Sequence, residues 1–146
     1  MNPSRPADHS LESLGEGTRA EHRYVITEAC HRALTETFGD VSPVHVDDDF
    51  ARRAGFEERV MHGAILNGFV SHFVGVVLPG IRSLLLSVDI RYLAPTHLGD
   101  EIRIEGKVVQ RVESQRVVVL SLSVANVTRG RPAARARVQV RVSDAI

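Results

Sequence analysis

Between Gly39 and Asp47 the chain reads Gly-Asp-Val-Ser-Pro-Val-His-Val-Asp, which sets a carboxylate, Asp40, five residues ahead of an imidazole, His45. Neither helical nor strand periodicity would bring side chains at that spacing together. A loop stiffened by Pro43 can aim both at one point. A carboxylate and an imidazole converging there can hold a water and pass its protons. A second segment, Val60-Met61-His62-Gly63, leads into an apolar stretch that reads as a helix. A glycine N–H at a helix start lies at the positive end of the helix dipole and suits a developing oxyanion. On spacing alone, a turn acid, a surface histidine and a helix-start glycine explain the same residues equally well.

The remaining chemistry-bearing residues read as structural. His45 with Asp47, Asp48 and Asp49 has the composition of a metal cluster, but helix capping accounts for the aspartates and no second nearby histidine fits, so no metal and no cofactor are expected. His62 is read as fixing the helix start and His72 as a satisfied core or pocket-rim residue. Cys30 packs on its helix, with no activating base in view.

The elements that must position these groups follow from pattern. Residues 1–19, rich in Pro, Ser, Gly and charge, read as a loose lead-in, with a single domain over 20–146. A short strand is predicted over His22–Thr27. Thr27 then caps a helix over Glu28–Phe38, with Cys30, Leu34 and Phe38 on its inner face and Gly39 as its stop. Residues 40–46 read as loop, and Asp47 caps a short helix over Asp48–Ala54. A helix apolar almost all round is predicted over His62–Leu78, buried in the middle of the domain. Gly63, Asn67 and Ser71 form a small polar stripe along it.

From Leu84 onward the period becomes two. Leu84 to Leu93, Ile102 to Val108, Val117 to Val124 and Ala134 to Val142 alternate as strands with one buried and one wet face. One long helix and an antiparallel sheet to wrap it make an α+β hot-dog layout.

Composition narrows the functional classes. Eighteen basic and eighteen acidic side chains cancel, so no bulk field points to nucleic acid or an anionic membrane. The bases concentrate after Glu101, which reads as a solvated outer sheet face, or as arginines meeting the phosphates of a carrier such as coenzyme A. A single cysteine excludes an intrachain disulfide and suits a reducing cytoplasm. Met1 to Glu16 has no apolar run of the kind a secretory signal needs. Ala64–Leu78, interrupted by Asn67, Ser71 and His72, is too short and too polar to span a bilayer.

With these residues in view, Phe38-Gly39-Asp40-x-Ser42-Pro43-x-His45-x-Asp47, Phe56 and Val60-x-His62-Gly63 resemble the hydratase-2 motif of MaoC-like (R)-specific enoyl-CoA hydratases. That motif runs Gly-Asp-x-Asn-Pro-x-His-x-Asp and then a Val-His-Gly-Met-like helix start. The similarity extends through Arg91 to Asp100 and the closing strands, nearly everything after residue 20. The resemblance implies reversible hydration of an enoyl thioester, carried by coenzyme A or an acyl-carrier protein, to the (R)-3-hydroxyacyl thioester. It matches Asp40 and His45 to the acid–base pair, Gly63 to the oxyanion donor and Ser71 to a pocket serine that orients the catalytic group. Ser42, Asn67 and His62 join Ser71 around the substrate. The resemblance also implies a homodimer, because this fold pairs its sheets edge to edge. Ser42 departs from the motif, whose residue before proline is asparagine; a hydroxyl reaches less far than an amide. The rival readings are an acyl thioesterase, which has no need of His45 at this spacing, and a non-catalytic acyl-carrier-binding module.

Overall fold

Alternating apolar side chains build the larger half of the molecule. In a computed structural model that describes residues 5–144, strands β1 (Arg19–Val25), β2 (Ser83–Tyr92), β3 (Glu101–Val112), β4 (Val117–Asn126) and β5 (Arg131–Val142) form one antiparallel sheet. Their order is β1-β3-β4-β5-β2. Register aligns the buried rows: Ile104 pairs with Val124, Val124 with Ala134, and Leu120 with both Val108 and Val138. Arg135, Arg137 and Arg141 alternate out of that row into solvent. Other bases of this region pair with acids, Arg103 with Glu105 at 3.7 Å and Arg111 with Glu113 at 2.7 Å. The arginines of β5 therefore lie on a wet outer sheet face, while Arg103, Lys107, Arg111, Arg116 and Arg129 are half-buried.

The described residues hold four α-helices, α1 (Glu28–Phe38), α2 (Pro43–Val46), α3 (Asp48–Arg53) and α4 (Gly63–His72), of which α4 packs on the sheet and α1 on α4. Thr27 caps α1, its hydroxyl accepting from the Cys30 N–H at 3.1 Å, and Gly39 ends the helix in the left-handed conformation. Asp47 caps α3 by accepting from the Phe50 N–H at 3.0 Å. Helix α4 lies across the sheet and runs into a π-helical turn over Phe73–Val77, closed by the Leu78 N–H on the Phe73 carbonyl at 2.9 Å. Phe73 is driven into the sheet at Gly106, where a Cβ would stand 2.5 Å from its ring. The helix–sheet contact that centres the core therefore requires a residue with no side chain on β3. This is the antiparallel sheet around a central helix of the hot-dog fold, in the α+β class.

Several expectations need correction. Helix α4 is not buried all round: Ile65, Leu66 and Val70 face the core while Asn67, Gly68, Ser71 and His72 are exposed, because only one side meets the sheet. The polar stripe is therefore wet. Phe38 does not join Cys30 and Leu34 against the core; at the last turn of α1 it is 75% exposed, and His31 is the buried side chain of that helix. The segment over 40–46 is not wholly loop, since Pro43, at the first position of α2, has its φ pre-set for a helical turn.

The lead-in is packed rather than loose over much of its described length. The Ala7 N–H bonds the Val76 carbonyl at 2.8 Å, and Leu11 and Leu14 are buried in the core. Residues 1–4 of that lead-in, and 145–146 of the domain, lie outside the described residues. In β2 the alternation slips at a bulge between Leu85 and Ser87. Before it Leu85 shares the face of Val140; after it Val88, Ile90 and Tyr92 share the face of Val138, Ala136 and Ala134. Leu84 and Leu86 are left 61% and 50% exposed on this edge strand.

Candidate active site

The turn from α1 into α2 sets out the first group. The Asp40 carboxylate accepts the Ser42 N–H at 3.3 Å, which closes the turn and keeps the side chain, 49% exposed, at the surface of the site. Pro43 then starts the short helix that carries His45. The His45 Nδ1 lies 2.6 Å from the Val60 carbonyl. A carbonyl only accepts, so Nδ1 holds the hydrogen and Nε2 keeps its lone pair. The backbone carbonyl of His45 in turn accepts from His31 Nε2 at 2.9 Å. On the facing segment, buried His62 donates from Nε2 to the Asp40 carbonyl at 2.9 Å, with the Asp40 carboxylate 3.7 Å from the same nitrogen. The His45 and His62 rings lie 4.1 Å apart between centroids. Two buried histidines, His31 and His62, therefore fix the main chain on either side of the pair that could move protons.

Asp40, His45 and His62 each offer one ligand-type atom within 4.8 Å of the other two. A cation there would find the Asp40 carboxylate and the His45 imidazole, whose free lone pair is on Nε2. The hydrogens on His62 Nε2 and His45 Nδ1 are already given to carbonyls. The neighbouring aspartates are occupied as well: Asp47 caps α3, Asp48 accepts the Arg59 N–H at 2.9 Å, and Asp49 bonds Arg52 at 3.0 Å.

Gly63 opens α4 beside this group. As the first residue of the helix it has no carbonyl one turn back to bond, so its N–H is available to a ligand. Against it stands Tyr92, so close that a Cβ on Gly63 would lie 2.9 Å from the Tyr92 Cζ. The Tyr92 hydroxyl donates to Asn67 Oδ1 at 2.8 Å. A cleft of about 450 Å³ opens here, lined by His45 and Gly63 at its polar corner and by Phe56, Val60, Leu66 and Tyr92 among its apolar walls.

The facing segment, Glu57 to Met61, is tied down at several points. Buried Asp100 accepts from Arg129 Nε at 3.0 Å, from Asn126 Nδ2 at 2.6 Å and from the His97 N–H at 2.8 Å. Arg129 reaches on to Glu58 at 3.0 Å and Glu57 at 3.4 Å, and His97 Nδ1 donates to the Arg59 carbonyl at 2.9 Å. Val60 and Met61 are bonded through their N–H groups to the carbonyls of Val44 and Thr96. The Val60 carbonyl that holds the His45 ring is thus itself held.

Of the residues singled out by sequence, Asp40, His45, His62 and Gly63 come together. Asn67 joins through Tyr92. Ser42 contributes its N–H to Asp40, while its hydroxyl makes no hydrogen bond among the described residues. Ser71 is exposed two turns along α4, and no hydrogen bond joins it to Asp40 or His45. His31, Tyr92, Asp100 and Arg129 were missed as site residues. Only His31 left a usable signal, a polar side chain three residues before Leu34 on the packed side of α1. His72, read as core or rim, is exposed; its Nδ1 lies 3.1 Å from the Tyr24 hydroxyl. Partial burial and the nearby His22 hold its pKa below the usual histidine value. Burial raises the Cys30 thiol above its usual value, in keeping with a packing residue.

The fold and this corner of it define a class before any particular relative is considered: a hot-dog domain in which a carboxylate and an imidazole meet beside the start of the central helix. The MaoC like domain profile matches residues 10–128, and the chain belongs to that family. It is 33% identical to the (R)-specific enoyl-CoA hydratase of Aeromonas caviae over 113 residues, 77% of this chain and 81% of that protein. With the hydratase of the same name from Rhodospirillum rubrum it shares 30% identity over 94 residues, 64% of this chain. That alignment spans 65% of the relative, just under two thirds of its length. Among solved structures, an unliganded R-hydratase from Pseudomonas aeruginosa superposes with a TM-score of 0.88 at 25% identity, covering 97% of this chain and 90% of that one. The Aeromonas caviae (R)-hydratase does so with a TM-score of 0.84 at 26% identity, covering 90% and 99%.

Proposed function

We propose that this protein adds water reversibly across the double bond of trans-2-enoyl thioesters to give (R)-3-hydroxyacyl thioesters. The observation that carries the reading is the meeting of the Asp40 carboxylate and the His45 imidazole, whose Nε2 keeps its lone pair, beside the Gly63 N–H at the polar corner of an apolar cleft. The thioester carbonyl accepts from Gly63, which draws electrons from the double bond and makes the β-carbon electrophilic. A water between Asp40 and His45 gives up a proton to the pair as its oxygen bonds the β-carbon. The pair returns a proton to the α-carbon, so the double bond is consumed and the site is restored. Ser42, Asn67 and Ser71 border the substrate, and His62 positions Asp40 through its main chain.

The remainder of the reading follows from this activity. The substrate is an acyl thioester of coenzyme A or an acyl-carrier protein, which places the enzyme in fatty acid metabolism. The lone thiol suits the cytoplasm, and no helix among the described residues is long and apolar enough to cross a membrane. The working unit is a homodimer, supported by the apolar side chains left uncovered on edge strand β2. Incubation with crotonyl-CoA tests the function, with loss of enoyl absorbance and release of free thiol followed in parallel. Hydration without thiol release is expected. Thiol release alone would make the protein a thioesterase, and binding without either reaction would make it a carrier-binding module.

A further inference from the structure

We infer that Tyr92, clipped by Asn67, sets the acyl-length preference of the cleft by closing it where β2 meets α4. The inference deepens the proposed hydration and rests on it for the identity of the ligand. Tyr92 closes on Gly63 so tightly that no side chain fits between them, and its hydroxyl is bonded to Asn67 one turn further along α4. The ring cannot swing aside without breaking that bond. It therefore stands as a wall a short distance from the oxyanion corner, with 50% of its surface exposed to the cleft and solvent.

The bulge in β2 puts Ile90 and Val88 on the same face as Tyr92, and Val88 is 38% exposed, so α4 does not cover it. A longer acyl chain would have to run past the phenol ring along the face that Ile90 and Val88 share with it. Short acyl groups fit in front of the ring; longer ones must displace it and leave Asn67 without its donor.

The test compares wild type, Tyr92→Ala and Asn67→Ala on crotonyl-CoA and trans-2-octenoyl-CoA. Tyr92→Ala is expected to raise kcat/KM for octenoyl-CoA relative to crotonyl-CoA by at least about tenfold, the effect of a few methylenes gaining an apolar pocket. Asn67→Ala, at an exposed helical site that alanine suits, frees the ring and should shift the ratio the same way by about threefold. The same variants are titrated calorimetrically with butyryl-CoA and octanoyl-CoA, which cannot react. Should no enoyl-CoA be hydrated, a matching shift in these affinities would uphold the role of Tyr92 and overturn hydration. A ratio that stays constant in both variants, an equal loss on every chain length, or no binding of either saturated thioester would overturn the inference.

Discussion

At the residue scale the site depends on which nitrogen of each histidine carries a hydrogen. The Val60 carbonyl fixes it on His45 Nδ1 and leaves Nε2 with its lone pair, so this orientation comes from the main chain rather than from a second carboxylate. Ser42 is the informative variation. Its N–H closes the turn that presents Asp40, and its hydroxyl is unbonded among the described residues, so the turn survives a change of side chain. We predict that Ser42→Asn holds or raises turnover on crotonyl-CoA with little change in melting temperature. An amide can add one longer-reaching hydrogen bond at the pair without altering the fold. Steady-state kinetics beside thermal melts checks this. A wild type inactive on every thioester, with activity switched on by the asparagine, would mean that Ser42 has retired the site.

At the element scale, the short segment between α3 and α4 does most to position the site. It carries Phe56 and the Val60 carbonyl, and a hub centred on buried Asp100 holds it through Arg129 and His97. Removing one partner of a buried ion pair strands the other charge. Asp100→Ala should therefore lower stability by about 3 kcal/mol, taken at the low end because Arg129 remains partly solvated. Arg23→Met, which removes the exposed pair with Glu101, should change stability by about 0–1 kcal/mol. Chemical denaturation midpoints compare the two, and equal losses would deny the hub its role. None of this was legible from the sequence, because Asp100 and Arg129 meet only when β3 and β4 pair, and Glu58 reaches them from the distant segment between α3 and α4. The caps at Thr27 and Asp47 and the alternation of β3 to β5 were legible, since both depend on neighbours in sequence. The alternation of β2 misled because a bulge adds one residue and exchanges the two faces.

At the scale of the whole molecule, the sheet has two free edges, β1 and β2, and they differ in character. Outward residues of β1 include Glu21 and Arg23, whereas β2 exposes Leu84 and Leu86. An apolar edge strand with unpaired main-chain groups invites a second copy, and light scattering should give a mass near twice the 16.1 kDa chain. A 16.1 kDa particle at working concentration would contradict it. The most direct test of the central claim is turnover of crotonyl-CoA by folded Asp40→Asn and His45→Gln beside wild type. The account predicts that wild type forms the (R)-3-hydroxy product and that each variant falls by at least about a hundredfold. Near wild-type rates in both folded variants would contradict it.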